Sequence, residues 1–437
     1  MPWRPLPRSC QLSLLLVLAG AVLTPSAGLA HSGGSADTGD LSLGSGPVDW
    51  IVLPTFGYES DLGVGVGAFA NLAVLDSEFR PYRVRVTGQA FFHLMPAPEG
   101  GLQVPFQNHY VVVDAPGLAG GRLRLNVDLR FRREATAGYY GLGNASVDER
   151  PWTEFDEDAQ RQQWIAARRF HQYDRSYPAL RLTARIALVK RLQLFSSVGL
   201  TGSWVNVYAD SRLARDLGDD APPAVRAAIV GLQPHALLDG VVGLVWDGRD
   251  DEFEPTRGGF HDVSVRQGGG IGERFGYVGV DLTVRGYLSL WRGILTLATR
   301  GRIDLLFGDP PLYELTAVGG LQGDRWATGG GTSLRGVPLQ RYHGKIKLVA
   351  NVEARLGLAR FRFLGRPTRL SVLGFVDAGR FFADWRAQPE LDGRGLGLKV
   401  GLGGGLRVRF GSTVVVRADV AVSADGWGGY LDVGQVF

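Results

Sequence analysis

The feature of this sequence that most constrains its fold is a strict alternation of apolar and polar residues, repeated along the chain. In residues 122–132, RLRLNVDLRFR, every second residue is Leu, Val or Phe, and the residues between them are Arg, Asn or Asp. The same arrangement recurs in residues 180–188, 280–288, 346–356 and 414–422. Because successive side chains of a β-strand point to opposite faces, each segment is predicted to be a strand with one apolar and one charged face.

Two kinds of all-β protein contain such strands. A soluble sandwich buries the apolar faces in a core, whereas a transmembrane barrel turns them outward to lipid and places the charges in its wet interior. The polar faces here carry charges of both signs, strand after strand, and glycine makes up 63 of the 437 residues. Aromatic residues at strand ends, Trp50, Trp246 and Trp291, match the girdles of a membrane barrel. We therefore predict an all-β fold, a transmembrane antiparallel β-barrel.

The number and spacing of the segments support the barrel. About sixteen strands can be placed in residues 49–437, and bacterial single-chain barrels have even strand numbers. With the N-terminus inside, the links after odd-numbered strands should be the outer ones, which are usually the longer ones. The three longest links follow the fifth, seventh and eleventh strands, at residues 135–173, 209–233 and 308–344. The two tightest links follow even-numbered strands, at residues 190–191 and 291–292.

The first thirty residues, 1–30, are predicted to be a cleaved signal peptide. Arg4 and Arg8 precede an apolar run at residues 12–23, and small residues follow up to Ala30. The alternative, an uncleaved anchor helix, needs about 20 apolar residues, which is more than this run provides. The chain is therefore expected to be exported.

The rest of the chain divides into two predicted parts. Residues 31–48, rich in Gly, Ser and Asp, are predicted to be a flexible periplasmic lead-in, and residues 49–437 the barrel. The one cysteine, Cys10, lies in the predicted signal peptide, so the mature chain has no disulfide and no thiol chemistry. An exported barrel of this type is expected in the outer membrane of a Gram-negative-type bacterium, in contact with lipid.

The sequence contains no catalytic or cofactor motif. There is no G-x-S-x-G, H-E-x-x-H or Walker loop and no complete G-x-G-x-x-G. The seven histidines are scattered, none at metal-ligand spacing from another, and the arginines form no basic block. Carboxylates alternate with arginines along the strands, which is typical of a charge-balanced lumen. We therefore expect no enzyme activity, no cofactor, no metal site and no nucleic-acid partner.

Six short motifs follow one another along the predicted barrel. They are YYGLGN (139–144), WDGRDDEFEPTRGG (246–259), SLRGVPLQRYHGK (333–345), NVEARL (351–356), GFVDAGRFF (374–382) and YLDVGQVF (430–437). In this order they resemble the outer-membrane assembly and secretion superfamily, which includes BamA-like insertases, TamA-like factors, two-partner secretion transporters and other barrels of the bacterial surface antigen type. The resemblance covers the whole predicted barrel and implies a role in protein assembly or translocation.

The resemblance also implies a role for the loop that contains the third motif. In the family, this sixth outer loop folds back into the barrel, and its arginine contacts acids on the two following strands. Here the loop motif is Leu334, Arg335 and Gly336, and the matching acids are Glu353 and Asp377. An arginine fork binds a carboxylate through two hydrogen bonds, a geometry that lysine does not reproduce. Without the resemblance, an exposed Arg335 on an outer loop is the alternative.

The sequence departs from the family pattern at two places. Val337 replaces the usual aromatic residue after the arginine-glycine pair. Only about 18 residues separate the predicted cleavage site from the first strand, fewer than a small independent domain needs. The periplasmic POTRA repeats of the family do not fit in that length, so we expect a stand-alone barrel.

The predicted working part is the seam between the first strand (49–58) and the last strand (428–437). Glycine packs nothing and costs backbone entropy, so a glycine-rich closing strand is weakly held. The predicted seam residues are Gly428, Gly429, Gly434 and Phe437, and the chain end also resembles the terminal signal read by the barrel assembly machinery. The leading hypothesis is a barrel that inserts or exports protein or lipid clients through its lumen or this seam. The alternatives are a passive pore with no client and a barrel that works with a separate periplasmic partner.

Overall fold

The described residues form one closed barrel. The structure, a computed structural model, describes residues 48–74, 82–97, 99–147, 169–251, 253–319, 326–363, 366–386, 388–410, 414–433 and 435–437. Sixteen strands of this part of the chain pair antiparallel with their sequence neighbours, and the first pairs with the last. This confirms the predicted sixteen-stranded antiparallel barrel. The predicted signal peptide and residues 31–47 of the predicted lead-in lie outside the described residues.

The barrel strands lie close to the segments read from the alternation. They are β1 (Val48–Glu59), β2 (Gly63–Val74), β3 (Val84–Pro96), β4 (Phe106–Leu118), β5 (Leu123–Gly138), β6 (Gln172–Val189), β7 (Leu192–Val207), β8 (His235–Asp247), β9 (Gly258–Gly270), β10 (Gly276–Leu290), β11 (Leu295–Gly308), β12 (Ile346–Phe363), β13 (Arg366–Phe382), β14 (Lys399–Phe410), β15 (Val414–Ser423) and β16 (Gly426–Val433). Two-residue strands form at Leu102–Gln103, Ala317–Val318 and Trp326–Ala327.

Within the residues that the structure describes, helical structure is confined to short pieces of the links. These are α1 (Arg212–Leu217), α2 (Pro223–Ala228), α3 (Pro389–Asp392) and 3-10 turns at Trp291–Gly293 and Leu312–Glu314. Within the described ranges, no helix is long and apolar enough to cross a membrane.

The two faces of the strands place apolar residues outside and charges inside. In β5, Leu125, Val127 and Leu129 project from the barrel, and Leu129 is 57% exposed. In β12, Lys347 and Glu353 point into the lumen and are fully buried. A water-soluble protein distributes these residue classes the other way round. The apolar outer surface is therefore the one expected of a barrel in lipid.

The long links gather at one end of the barrel. Because consecutive strands are antiparallel neighbours, the links after odd-numbered strands all leave from the same rim. Their described parts share one buried apolar cluster, which includes Tyr139 after β5, Leu213 and Val225 after β7, and Leu312 and Tyr313 after β11. That this rim faces the cell exterior stays a prediction.

Pairing between strands is uneven around the barrel. β12 pairs with β13 along nearly its whole length, and β1 pairs with β2 along all of its residues. The closing pair, β1 with β16, has only two residue pairs in register, Tyr58 with Leu431 and Glu59 with Tyr430. Among the described parts of the sixteen barrel strands, this seam therefore has the least backbone pairing.

Candidate functional site

The link between β11 and β12, residues 309–345, is called the inner loop below. Its described parts, residues 309–319 and 326–345, fold back into the lumen. Its described part packs Leu334, Val337 and Tyr342 against Val349 of β12 and Phe381 of β13 in a fully buried cluster. The rings of Tyr342 and Phe381 are stacked with centroids 4.8 Å apart. The aromatic ring of this loop cluster thus comes from Tyr342, five residues after Val337.

Arg335 lies inside the barrel, with no exposed surface. Its guanidinium donates from Nε to Asp377 Oδ2 at 2.8 Å and from Nη2 to Asp377 Oδ1 at 3.0 Å. Nη1 donates to Glu353 Oε1 at 2.8 Å. The guanidinium carbon also lies 3.4 Å from the ring centroid of Phe375, within cation–π distance. The structure therefore brings together Arg335, Glu353 and Asp377, with the two-pronged geometry on Asp377.

A third carboxylate, not singled out from the sequence, joins this site. Asp419 on β15 lies 3.5 Å from Arg335 Nη1 and accepts a hydrogen bond from Arg407 Nη1 at 2.6 Å. On the opposite side, Arg355 Nε donates to Glu353 Oε2 at 2.8 Å. The three carboxylates thus alternate with three guanidinium groups, and all six side chains are buried. The alternation indicated that Asp419 faces inward, but its closeness to Arg335 depends on strand register.

Burial makes the site sensitive to the loss of any one charge. Removing one partner of a buried ion pair leaves the other uncompensated and costs about 3–5 kcal/mol. Burial disfavours the charged form of Arg335, but the carboxylates of Glu353 and Asp377 outweigh it and raise the pKa of Arg335 above its ordinary value. The charged guanidinium is therefore the stable form in this site, and its effect is to fix the inner loop to β12 and β13.

Two glycines allow the close approach of the loop. Gly336 has a φ of +86°, and a Cβ there would lie 2.9 Å from the backbone carbon of Val422 on β15. On β14, a Cβ at Gly401 would lie 1.9 Å from the carbonyl oxygen of Arg335. Both distances are too short for any larger residue without movement of the backbone. Gly336 belongs to the loop motif identified in the sequence, whereas Gly401 was missed because only the register places it under the loop.

At the seam, the glycines of β16 have packing roles as well. A Cβ at Gly428 would lie 2.1 Å from the hydroxyl oxygen of Tyr430, so this glycine makes room for the inward-facing ring. The carbonyl of Gly429 accepts a hydrogen bond from the Ser60 backbone at 3.2 Å, next to the two paired positions. Gly434 lies outside the described residues.

The chain end corrects the predicted extent of the last strand. β16 ends at Val433, and Phe437 does not take part in the seam. Its ring is buried beside Tyr287, 4.9 Å from the guanidinium carbon of Arg300, and its carbonyl accepts a hydrogen bond from Arg355 Nη2 at 3.0 Å. Inward-facing arginines therefore bind the last residues inside the lumen, which the alternation of YLDVGQVF does not reveal.

The titratable groups offer no metal centre. Within the residues that the structure describes, no group of three or more His, Cys, Asp or Glu side chains is arranged to hold a metal ion. The carboxylates at the heart of the site are already engaged by arginines. The arrangement therefore acts as a structural anchor, with the weakly paired seam beside it.

Comparison with known families and structures agrees with this geometry. The family model described as "Omp85 superfamily domain" matches residues 115–429, which make up most of the barrel. No curated protein matches the chain.

Two solved structures are similar in fold. BamA from Haemophilus ducreyi lacking POTRA domains 1-3 is 13% identical, with a TM-score of 0.53 over 88% of this chain and 70% of that one. CdiB from Escherichia coli is 12% identical, with a TM-score of 0.51 over 90% of this chain and 64% of that one. At these identities the likeness is one of fold alone, and the chain spans less than two thirds of the length of CdiB.

Proposed function

We propose that this chain, which belongs to the Omp85 superfamily, is an outer-membrane barrel that inserts or exports protein or lipid clients and opens at its β1–β16 seam. The observation that carries the proposal is the two-residue pairing of that seam. A backbone group left unpaired in hydrocarbon costs several kcal/mol, so a barrel can part only where few bonds hold it. Family membership supports a role in protein assembly or secretion in general.

The cellular setting belongs to the same proposal. Residues 1–30 act as the signal peptide, residues 31–48 as a periplasmic lead-in and residues 49–437 as the barrel, in the outer membrane of a Gram-negative-type bacterium. The barrel takes a separate periplasmic protein as its partner. It has no enzymatic activity and no nucleic-acid partner, and the assembly machinery reads its terminal signal.

The alternative of a passive pore is opposed by the contents of the lumen. Arg335, Arg341 and Tyr342 of the inner loop are almost completely buried within the barrel. A loop packed in this way obstructs the path that ions would take. We therefore expect the purified barrel in planar bilayers to show little steady conductance. A large, stable conductance would favour the passive pore.

The proposal is tested by closing the seam covalently. Tyr58→Cys with Leu431→Cys places two thiols at paired positions of β1 and β16, in a mature chain expected to have no other thiol. The matched control is Val376→Cys with Leu402→Cys, a pair in register between β13 and β14, where the sheet is fully formed. Each pair is introduced into cells that carry no other copy of the gene.

The readout is the abundance of each outer-membrane and secreted protein, measured by quantitative mass spectrometry. Oxidation of the seam pair should deplete the clients, reductant should restore them, and the control pair should change nothing. Equal profiles for the oxidised seam pair and the oxidised control would refute a role for the seam.

A further inference from the structure

The tip of the inner loop contacts strands on both sides of the β1–β16 seam. On the β16 side, the backbone N–H of Gly336 donates to the hydroxyl of Tyr430 at 3.0 Å. The carbonyl of Gly336 accepts a hydrogen bond from Ser423 Oγ at 2.8 Å. Tyr430 is also one of the two β16 residues paired with β1, so this contact joins the loop directly to the closing strand.

On the other side of the seam, the same loop segment contacts the N-terminal strands. The backbone N–H of Leu339 donates to Asp61 Oδ2 at 2.9 Å, in the tight turn between β1 and β2. The amide of Gln340 donates from Nε2 to Glu134 Oε2 of β5 at 2.7 Å, and its Oε1 accepts from the Gly138 N–H at 2.7 Å. Gln340 is held at a φ of +57°, an uncommon conformation for a residue other than glycine.

These contacts span the place where strand pairing is weakest. Only two residue pairs close β1 on β16, yet residues 336–340 bridge from Tyr430 to Asp61 and Glu134. The two sets of strands that flank the seam are called the β12–β16 wall and the β1–β5 wall. At this rim, most of the contacts that join the two walls are thus made by the loop and not by strand pairing.

We propose that residues 336–340 act as a staple that holds the seam shut, with Asp61 and Gln340 as the positioning residues at its releasable end. This inference rests on the proposed opening of the seam and adds how that opening is controlled. For β1 to separate from β16, the hydrogen bonds between the loop and one of the two walls must break.

The contacts at the two ends of the staple differ in strength. The weaker end is the one expected to release when the seam opens. Arg335 anchors the loop to β12 and β13 through buried ion pairs, whose separation would leave uncompensated charges. The Asp61 and Gln340 contacts are amide–carboxylate and amide–amide hydrogen bonds, and the accepting carboxylates of Asp61 and Glu134 are only half-buried, so water can replace the bonds to these two acids. Within residues 336–340, the contacts with strands β1–β5 are therefore the ones that release, whereas those with strands β12–β16 stay.

The test measures seam opening itself, by hydrogen exchange of the β16 amides in proteoliposomes, with the β12 amides as internal reference. Asp61→Ala removes one hydrogen bond and Gln340→Gly removes two, and glycine suits the positive φ at residue 340. Each should accelerate exchange at the seam roughly tenfold and leave β12 unchanged. If Asp61→Ala does not assemble, Gln340→Gly still decides, because it leaves the turn untouched.

A covalent staple gives the opposite perturbation. Asp61→Cys with Leu339→Cys should slow seam exchange when oxidised and recover with reductant. The matched control is Thr316→Cys with Thr328→Cys, whose hydroxyl oxygens are 2.7 Å apart within the inner loop itself, so its disulfide joins no wall. Equal seam exchange in the oxidised staple, the oxidised control and the two contact-removing variants would overturn the proposal.

The readouts separate this inference from the proposed function. Slower seam exchange in the covalent staple, together with unchanged client abundance, would support the staple and refute client delivery through the seam. The opposite result is client depletion by the oxidised Tyr58→Cys and Leu431→Cys pair, with the same rate of seam exchange in every staple variant. It would refute the staple and leave the proposed function standing.

Discussion

The β12–β16 wall beneath the inner loop and the seam beside it are built in opposite ways. At the wall, β12 and β13 pair along nearly their full length, and Arg335 adds buried ion pairs to both strands. At the seam, β1 and β16 share two residue pairs, and a glycine-rich strand supplies little side-chain packing. The difference teaches that this barrel does not spread its stability evenly around the sheet. Because local opening begins where contacts are fewest, we expect it to begin at the seam.

The largest effect is expected from breaking the wall at Arg335. Arg335→Ala leaves Glu353 and Asp377 without their shared partner and should weaken loop docking by about 3–5 kcal/mol. Arg335→Lys should lose nearly as much, because an ammonium cannot reproduce the two-pronged contact with Asp377. The measurement is cleavage within the inner loop by added protease.

The matched control for Arg335 is Arg362→Ala, which removes an exposed arginine from the end of the same strand β12. It should leave the cleavage rate unchanged. If Arg335→Ala and Arg362→Ala are cleaved at the same rate, the wall is not held by this arginine and the contrast with the seam disappears.

A smaller effect is expected from crowding the wall at Gly401. Gly401→Ala places a methyl group 1.9 Å from the Arg335 carbonyl oxygen unless the backbone moves, and overpacking of this kind costs about 1–3 kcal/mol. Gly374→Ala is the control, because a Cβ there meets no atom within 4 Å. Protease cleavage of the loop should rise for the first variant only, and equal cleavage in both would show that the loop does not need this close approach.

The sequence predicted the wall better than the seam, for physical reasons. Alternation alone showed that Glu353 faces inward, and the family resemblance linked it and Asp377 to Arg335. Asp419 and Gly401 escaped notice because their places beside the loop follow from the register of β14 and β15, which distant pairing sets. That these residues form a functional site stays a prediction.

The chain end was misjudged for a related reason. The sequence predicted a last strand over residues 428–437, with pairing up to Phe437. Alternation reports which way a side chain points, but it does not report whether a partner strand is present. Arg300 and Arg355 offer the last residues hydrogen bonds inside the lumen, and these contacts are only visible once the barrel is closed.

The smallest expected effect is a change in loop docking with pH. His343 of the inner loop is fully buried, and among the described residues neither of its ring nitrogens has a hydrogen-bond partner. Burial, with the positive charges of Lys347 and Arg341, lowers the pKa of His343 from 6.5 to about 3. An undocked loop would expose this histidine and restore its ordinary pKa.

The sign of the pH effect follows from these two pKa values. The undocked loop takes up a proton as the pH falls below 6.5, whereas the docked loop does so only near pH 3, so docking is strongest above pH 6.5 and weakens on acidification. At pH 5.5, one unit below the ordinary value, the loss is about 1.4 kcal/mol. Protease cleavage of the loop should therefore rise between pH 7 and pH 5.5, and His343→Phe, which keeps an aromatic ring against Tyr139, should flatten the rise. The same slope in both proteins would mean that His343 does not undergo this change of environment and that its titration does not control loop docking.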